Sequence, residues 1–427
     1  MWATADYGAT WRRIDAGFPE DDFVWVVRED AEQPGLLYAG AEWSGVWVSL
    51  DDGENWHSLR LNLPVTPVRD LKLKDGDVVA ATHGRAHWIL DDISPLRQLA
   101  AAGVALRSDG GEPGADAGVR LFTPRPTIRF REMVTRATFG GLFMPNPPSG
   151  VVVRYYLPQA PEAEVRLSIH EAGDDGEGEE IRTFSSRGAA AEPGPDPIDP
   201  ADLVEPGLPA EAGANAFEWD MRYPEPIDWV PKTLYRHRDP YGPLAPPGRY
   251  EARLTVDGET FVVPFEIVPD PRVATPQAEF DEQFGFLMAI REKIGENHRA
   301  VARIHSLRQR IVQAIEGAAG TEGAADIARA GAELDARLWE IEDHLRQFRP
   351  SRDHRAKQEL INWPVRLDDK FAKLLEHAEA SDASPTSRDR MLFDDLSERQ
   401  EEQIEALGFI EEGEAARFFN ETESRSP

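Results

Sequence analysis

The chain has 427 residues, enough for about three domains at roughly 150 residues each. Its 77 acidic residues outnumber 47 basic ones for a net charge of −30, which excludes the basic footprint that phosphate-backbone binding needs, so nucleic acid is not an expected partner. Cysteine is absent, which removes disulfides, thiolate nucleophiles and Cys-ligated metals, and no run of 18 apolar residues exists that would span a membrane.

The first twenty residues, starting M-W-A-T-A-D-Y-G, lack the basic and apolar regions of a secretory signal. Within them, T-A-D-Y-G-A-T-W (4–11) is echoed by S-L-D-D-G-E-N-W (49–56), 45 residues on. Both fit S/T-x-D-x-G-x-(T/N)-W, the Asp-box pattern. Thr4, Asp6, Gly8, Thr10 and Trp11 in the first copy, and Ser49, Asp51, Gly53, Asn55 and Trp56 in the second, are expected to be structural. Short polar side chains satisfy backbone N–H groups in a tight turn, Gly supplies a positive φ, and Trp buries a large apolar surface. The 45-residue spacing is that of one four-stranded propeller blade.

The repeat extends beyond the boxes. L-Y-A-G-A-E-W-S-G-V-W-V-S-L-D-D (37–52) aligns with V-V-A-A-T-H-G-R-A-H-W-I-L-D-D (78–92), placing Trp47 over Trp88. The same register puts Trp2 over Trp47 and Met1 over Val46. Residues 1–100 are therefore expected to form an incomplete propeller of about two blades. Met1 falls in mid-strand, and the expectation is a truncated chain or a start codon placed too late. An open pair of blades leaves edges and faces that missing propeller blades or a second copy of the chain would cover. In T-H-G-R-A-H-W (82–88), His83, Arg85 and His87 alternate, so on a strand they share one face. They are candidates for binding an anion or a metal, or alternatively hydrogen-bonded residues that close the last blade. Asp51, Asp52, Asp91 and Asp92 are paired by sequence only, since neighbours on a strand point to opposite faces.

Residues 101–145 read as a Gly/Ala/Asp-rich linker followed by an extended segment. Over 146–269, short β-branched and aromatic runs at 151–157, 165–171, 179–184 and 216–223 suggest an Ig-like or fibronectin-like β-sandwich. A long hairpin over 246–268 turns at D-G. Trp219, Asp220, Arg222 and Tyr223 are either a carbohydrate-contacting patch or core and edge residues.

Helical spacing takes over at 276–420. Phe280, Phe284, Leu287, Ile294, Val301, Ile304 and Ile311 make one stripe; Ile327, Leu334, Leu338, Ile341, Leu345 and Phe348 make a second, after a Gly/Ala break at 317–325. A third helix begins near Pro364, and a fourth carries Leu392, Leu396, Ile404 and Leu407. Together they suggest an antiparallel helical bundle. The acidic run at 394–405 reads as a solvated helix face, or alternatively as a partner surface.

V-S-L-D-D-G-E-N-W, A-T-H-G-R-A-H-W-I-L-D-D, P-G-R-Y and I-N-W-P-V-R-L-D-D-K, in that order, resemble the C-terminal half of large bacterial BNR/Asp-box proteins with sortilin (VPS10)-like propellers, a family often labelled glycosyl hydrolase. The resemblance implies a multidomain β-plus-α protein, exported relatives, and a propeller face that recognises a protein or a glycan. It also implies that the Asp-boxes lie on the propeller rim, away from any central site. Sialidase-like hydrolysis needs carboxylates, or a Tyr with a carboxylate, converging from several blades. About two blades cannot assemble that site, and G-x-S-x-G, H-E-x-x-H and P-loop motifs are missing. The expectation is a non-catalytic binding or scaffold protein without cofactor; the alternative is part of a hydrolase whose catalytic blades lie elsewhere.

Overall fold

Over the first ninety residues three sheets repeat one hydrogen-bonding scheme. The first pairs β1 (Trp2–Ala3) with β2 (Arg12–Arg13). The second runs β3 (Val24–Glu29), β4 (Leu37–Ala41), β5 (Val46–Ser49) and β6 (His57–Ser58) in order; the third is β7 (Val68–Lys74), β8 (Asp77–Thr82) and β9 (His87–Leu90). Trp2 pairs with Arg13 as Trp47 pairs with Ser58, and Trp47 opposes Ala39 as Trp88 opposes Ala80. The period between the second and third sheets runs without a gap through the following turn. Asp52 N–H donates to the Gly35 carbonyl and Ile93 N–H to the Gly76 carbonyl, each at 2.8 Å. Asp51 is thus the counterpart of Asp92.

Both long hairpins carry a bulge at the same place. The register slips between Val24 and Val26 in β3, and between Val68 and Asp70 in β7, leaving Trp25 and Arg69 out of the ladder. Inward residues of the second and third sheets (Val26, Tyr38, Val48, Val68, Leu71 and Val78 among them) form one buried cluster. Trp47 and Trp56 belong to another, packed against Met1 and Phe18.

The computed structural model describes residues 1–106, 118–130, 148–173, 178–188, 207–226, 242–346 and 364–425. Much of the expected linker, the Pro/Ala/Gly-rich insertion before 207, Phe348 and Ile361–Trp363 lie outside the described residues. Two units are compact in themselves. One takes in Met1–Ala191, Ala201–Asp220 and Gly248–Asp270; the other takes in Met221–Pro247 and Pro271–Pro427.

The first unit continues through α1 (Ser94–Ala101) into β10 (Arg120–Leu121), β11 (Thr127–Arg129), β12 (Val151–Leu157), β13 (Arg166–Glu171), β14 (Glu180–Ser185), β15 (Gly213–Trp219), β16 (Gly248–Val256) and β17 (Glu259–Pro269). These make a three-stranded sheet, β10-β12-β15, and a five-stranded one, β11-β17-β16-β13-β14. Pairing is antiparallel except between β11 and β17. Among the unit's sheets one curls into a half-barrel. Tyr250, Ala252, Leu254 and Val256 of β16 alternate inward, the period-2 signature of a strand with one buried face. Asp257 (φ 48°) and Gly258 (φ 85°) turn the β16–β17 hairpin, as D-G implies. The strand expected over 216–223 instead ends at Trp219, and Met221 has φ 60°, outside the extended region.

The second unit is helical: α2 (Gln277–Gly317), α3 (Ala324–Leu345), α4 (Leu367–Ala378), α5 (Ser387–Phe409), a π-helical turn (Ile410–Ala415) and α6 (Ala416–Arg425). The 280–311 and 327–345 stripes are buried as their spacing demands, apart from half-buried Phe284. A capping box opens α5: Thr386 Oγ1 accepts from Asp389 N–H while Asp389 accepts from Thr386 N–H. Leu392, expected inward, is 43 % exposed; its turn of α5 buries Leu396 instead. The acidic residues of 394–405 face solvent. Among the described residues no helix is long and apolar enough to cross a membrane.

Candidate functional site

The two Asp-boxes have the same internal wiring. Thr4 Oγ1 donates to Asp6 and accepts from Gly8 N–H at 2.8 Å; Ser49 Oγ donates to Asp51 and accepts from Gly53 N–H at 2.9 Å. Asp6 accepts from Thr10 N–H and its hydroxyl, and Asp51 from Asn55 N–H and its side-chain amide. Hydrogen bonds from Thr10 and Thr4 hold the Asp6 carboxyl down at about 2. Burial works to raise Asp51, but donation from Asn55 and Ser49 outweighs it and the carboxyl is lowered. Both carboxylate oxygens of Asp6 and of Asp51 are thus engaged within their own turns.

His83, Arg85 and His87 do not share a strand face. His83–Ala86 is the turn between β8 and β9, with Gly84 (φ 89°) and Ala86 (φ 58°) in the left-handed region, and all three candidate side chains are exposed. The turn is tied down through its backbone: His83 N–H donates to the Pro67 carbonyl, Thr66 Oγ1 donates to the His83 carbonyl, and Trp88 Nε1 donates to the Arg85 carbonyl. Among the described residues no group of three or more His, Asp or Glu is placed to hold a metal ion. Trp219 is fully buried, 6.0 Å from Tyr250 and 6.1 Å from Phe265 by ring centroid, so it is core and not a carbohydrate platform. Asp220 faces Arg182 at 3.6 Å. In the helical unit Arg222 is paired with Glu379 at 3.1 Å, and Tyr223 meets Phe284 in a tilted contact with ring centroids 4.8 Å apart.

The counterpart turn of the second sheet carries more chemistry. Asp22 clamps it, accepting from Trp43 N–H, Ser44 N–H and the Ser44 hydroxyl. Burial pulls the Asp22 carboxyl up, and these donors more than reverse it. Beside the clamp, Glu42 is largely buried, accepting from Trp25 Nε1 at 2.6 Å and facing Arg69 Nη1 at 3.2 Å. The Arg69 guanidinium lies 4.0 Å over the Trp25 ring, and Phe23 meets Trp25 edge-on at 5.3 Å. The two bulges thus aim Trp25 and Arg69 at each other, and Glu42 fixes both. Phe23 (49 %), Trp25 (48 %) and Trp43 (59 %) remain open to solvent.

This face offers aromatic surface for stacking, with a carboxylate and a guanidinium held in place beside it. Sequence reasoning missed it because the repeat was aligned from its second strand onward. Extending the alignment to D-D-F-V-W-V-V (21–27) over V-T-P-V-R-D-L (65–71) brings Trp25 and Arg69 to equivalent positions. Compared with family models, with curated proteins and with solved structures, the chain matches none.

Proposed function

We propose that the three repeated sheets are consecutive blades, the first and third incomplete, of a BNR/Asp-box, sortilin-like β-propeller. On this reading β10–β17 form an Ig-like sandwich, and α2–α6 form a bundle. The chain is a binding or scaffold protein that recognises a glycan through the face carrying Phe23, Trp25, Glu42, Trp43 and Arg69. The observation that carries this reading is the Trp25–Glu42–Arg69 group, built on two equivalent bulges and flanked by an exposed tryptophan. Preorganised aromatic rings with a fixed carboxylate and guanidinium suit the apolar faces and hydroxyl groups of a sugar ring. Asp22 and Glu42 are both engaged by donors of this face, which supports binding over hydrolysis.

The test is to apply the purified chain to a panel of immobilised oligosaccharides, with Trp43→Ala and Glu42→Gln as variants. Retention on at least one glycan, reduced about tenfold or more in both variants, is expected. Release of free sugar from an aryl-glycoside would instead place the chain with hydrolases. Glycan binding indifferent to both substitutions would remove this face from the account.

A further inference from the structure

A second candidate site lies elsewhere in the first unit. A cleft of about 600 Å³ opens between the turns at the far ends of β8 and β9 and the extended segment 125–130, with β12 as its back wall. That volume is in the range of small-molecule sites. Pro126, Ile128, Phe130 and Val152 contribute apolar surface, and Ile128 (46 %) and Phe130 (39 %) stay substantially exposed.

Polar groups on the opposite side carry a surplus of negative charge. Asp75, Asp77, Asp91 and Asp92 face Arg125 and Arg154. Each arginine already has a carboxylate: Arg125 Nη1 lies 2.9 Å from Asp77, and Arg154 is paired with Asp92. Asp77 also accepts from Asp92 N–H, and Asp92 from Ser94 N–H. Among the described residues Asp75 is matched only by the solvent-exposed Lys74. Asp91 is half-buried and makes no hydrogen bond or ion pair with the other described residues. A carboxylate withdrawn from water without a partner is costly, and a bound cation would offset that cost.

The walls are held by regular pairing. Asp75 and Gly76 form the two-residue turn of the β7–β8 hairpin, and Thr127–Arg129 pairs in parallel with β17. The site is therefore formed before any ligand arrives.

We infer that this cleft binds a small organic cation with an apolar body, its ammonium group paired with Asp91 and its hydrocarbon part laid against Ile128 and Phe130. An anion is disfavoured because both guanidinium groups are already neutralised.

The experiment titrates the whole chain with 2-phenylethylammonium chloride, followed by ligand-observed NMR, with 2-phenylethanol and 3-phenylpropionate as neutral and anionic counterparts. Saturable binding of the amine in the millimolar range is expected, on the order of tenfold tighter than the alcohol, with no binding of the acid. Asp91→Asn should weaken the amine about tenfold and leave the alcohol unchanged; Ile128→Ser should weaken both. Asp91→Asn removes an unpaired charge, so the fold should survive it, which circular dichroism verifies. Should that variant nonetheless misfold, the wild-type comparison of amine, alcohol and acid decides alone. Equal binding of amine and alcohol, no binding of the amine at about 10 mM, or indifference of a folded Asp91→Asn would overturn the assignment.

Discussion

The two Asp-boxes share a sequence pattern and a hydrogen-bond diagram, yet they stand in different surroundings. Trp56 is 2 % exposed, donates from Nε1 to the Ile14 carbonyl at 2.9 Å and meets Phe18 edge-on. Trp11 is 58 % exposed and its Nε1 turns back to the Gly8 carbonyl of its own box. Gly53 lies against Ile14, whereas Gly8 has only the Trp11 ring near it. The polar residues of the motif thus shape a turn wherever it occurs. Its tryptophan stabilises only where a preceding repeat supplies a carbonyl and an apolar wall.

That contrast is sharpest at the tryptophans. Trp56→Ala should cost about 3–5 kcal/mol, by loss of buried area and a cavity, and Trp11→Ala no more than about 0.5 kcal/mol. Tryptophan-fluorescence unfolding in urea measures both, and equal losses would break the comparison. Next come the glycines. Alanine at position 8 or 53 must adopt a left-handed φ, at about 1–2 kcal/mol each. At Gly53 the added methyl also meets Ile14 Cβ at 3.0 Å. Gly53→Ala should therefore exceed Gly8→Ala by roughly 1–3 kcal/mol of overpacking.

Smaller still is the effect of the box carboxylates. Asp51→Ala removes the acceptor for Asn55 and Ser49 and should cost about 1 kcal/mol; Asp6→Ala should cost less, because its turn is fully solvated. The weakest effect is the pH dependence. Asp6 and Asp51 are both lowered in the folded chain, so their contribution is complete above the unfolded carboxylate value. It falls away as pH drops through the folded values, down to about 2 for Asp6. Asp6→Asn and Asp51→Asn should therefore be less stable than wild type at neutral pH, and the difference should shrink as pH falls below about 4, read from urea unfolding at a series of pH values. A stability difference that does not change with pH would assign those carboxylates another role.

Register and element order were legible because they rest on short-range physics. D-G at 257–258 demands a hairpin turn, the 280–311 stripe demands a buried helix face, and the Trp2/Trp47/Trp88 spacing fixes which residues pair. The site was less legible. His83, Arg85 and His87 alternate in sequence as strand residues do, but the positive φ at Gly84 and Ala86 makes a turn of the stretch that period 2 alone assigns to a strand. Trp25 and Arg69 look like ordinary strand positions. Only a bulge, which depends on pairing with a partner strand, turns them toward each other. The cleft is defined by segments as far apart as Asp75 and Arg154, a closeness that no local pattern encodes.

The hairpin turns at the start of the second and third sheets differ in a way useful to an engineer. Between β3 and β4 the chain takes a longer path, anchored by Asp30, whose carboxylate accepts from Glu32 and Gln33 N–H and pairs with Arg97. Between β7 and β8, Lys74 pairs directly with Asp77 around Asp75–Gly76, and a single backbone bond, from Ile93 N–H to the Gly76 carbonyl, holds the turn's tip to the following chain. The molecule thus already holds a long and a short version of one connection in the same scaffold. A tag or reporter loop spliced between Asp75 and Gly76 should leave the sheets in register while standing over the cleft as a removable cover.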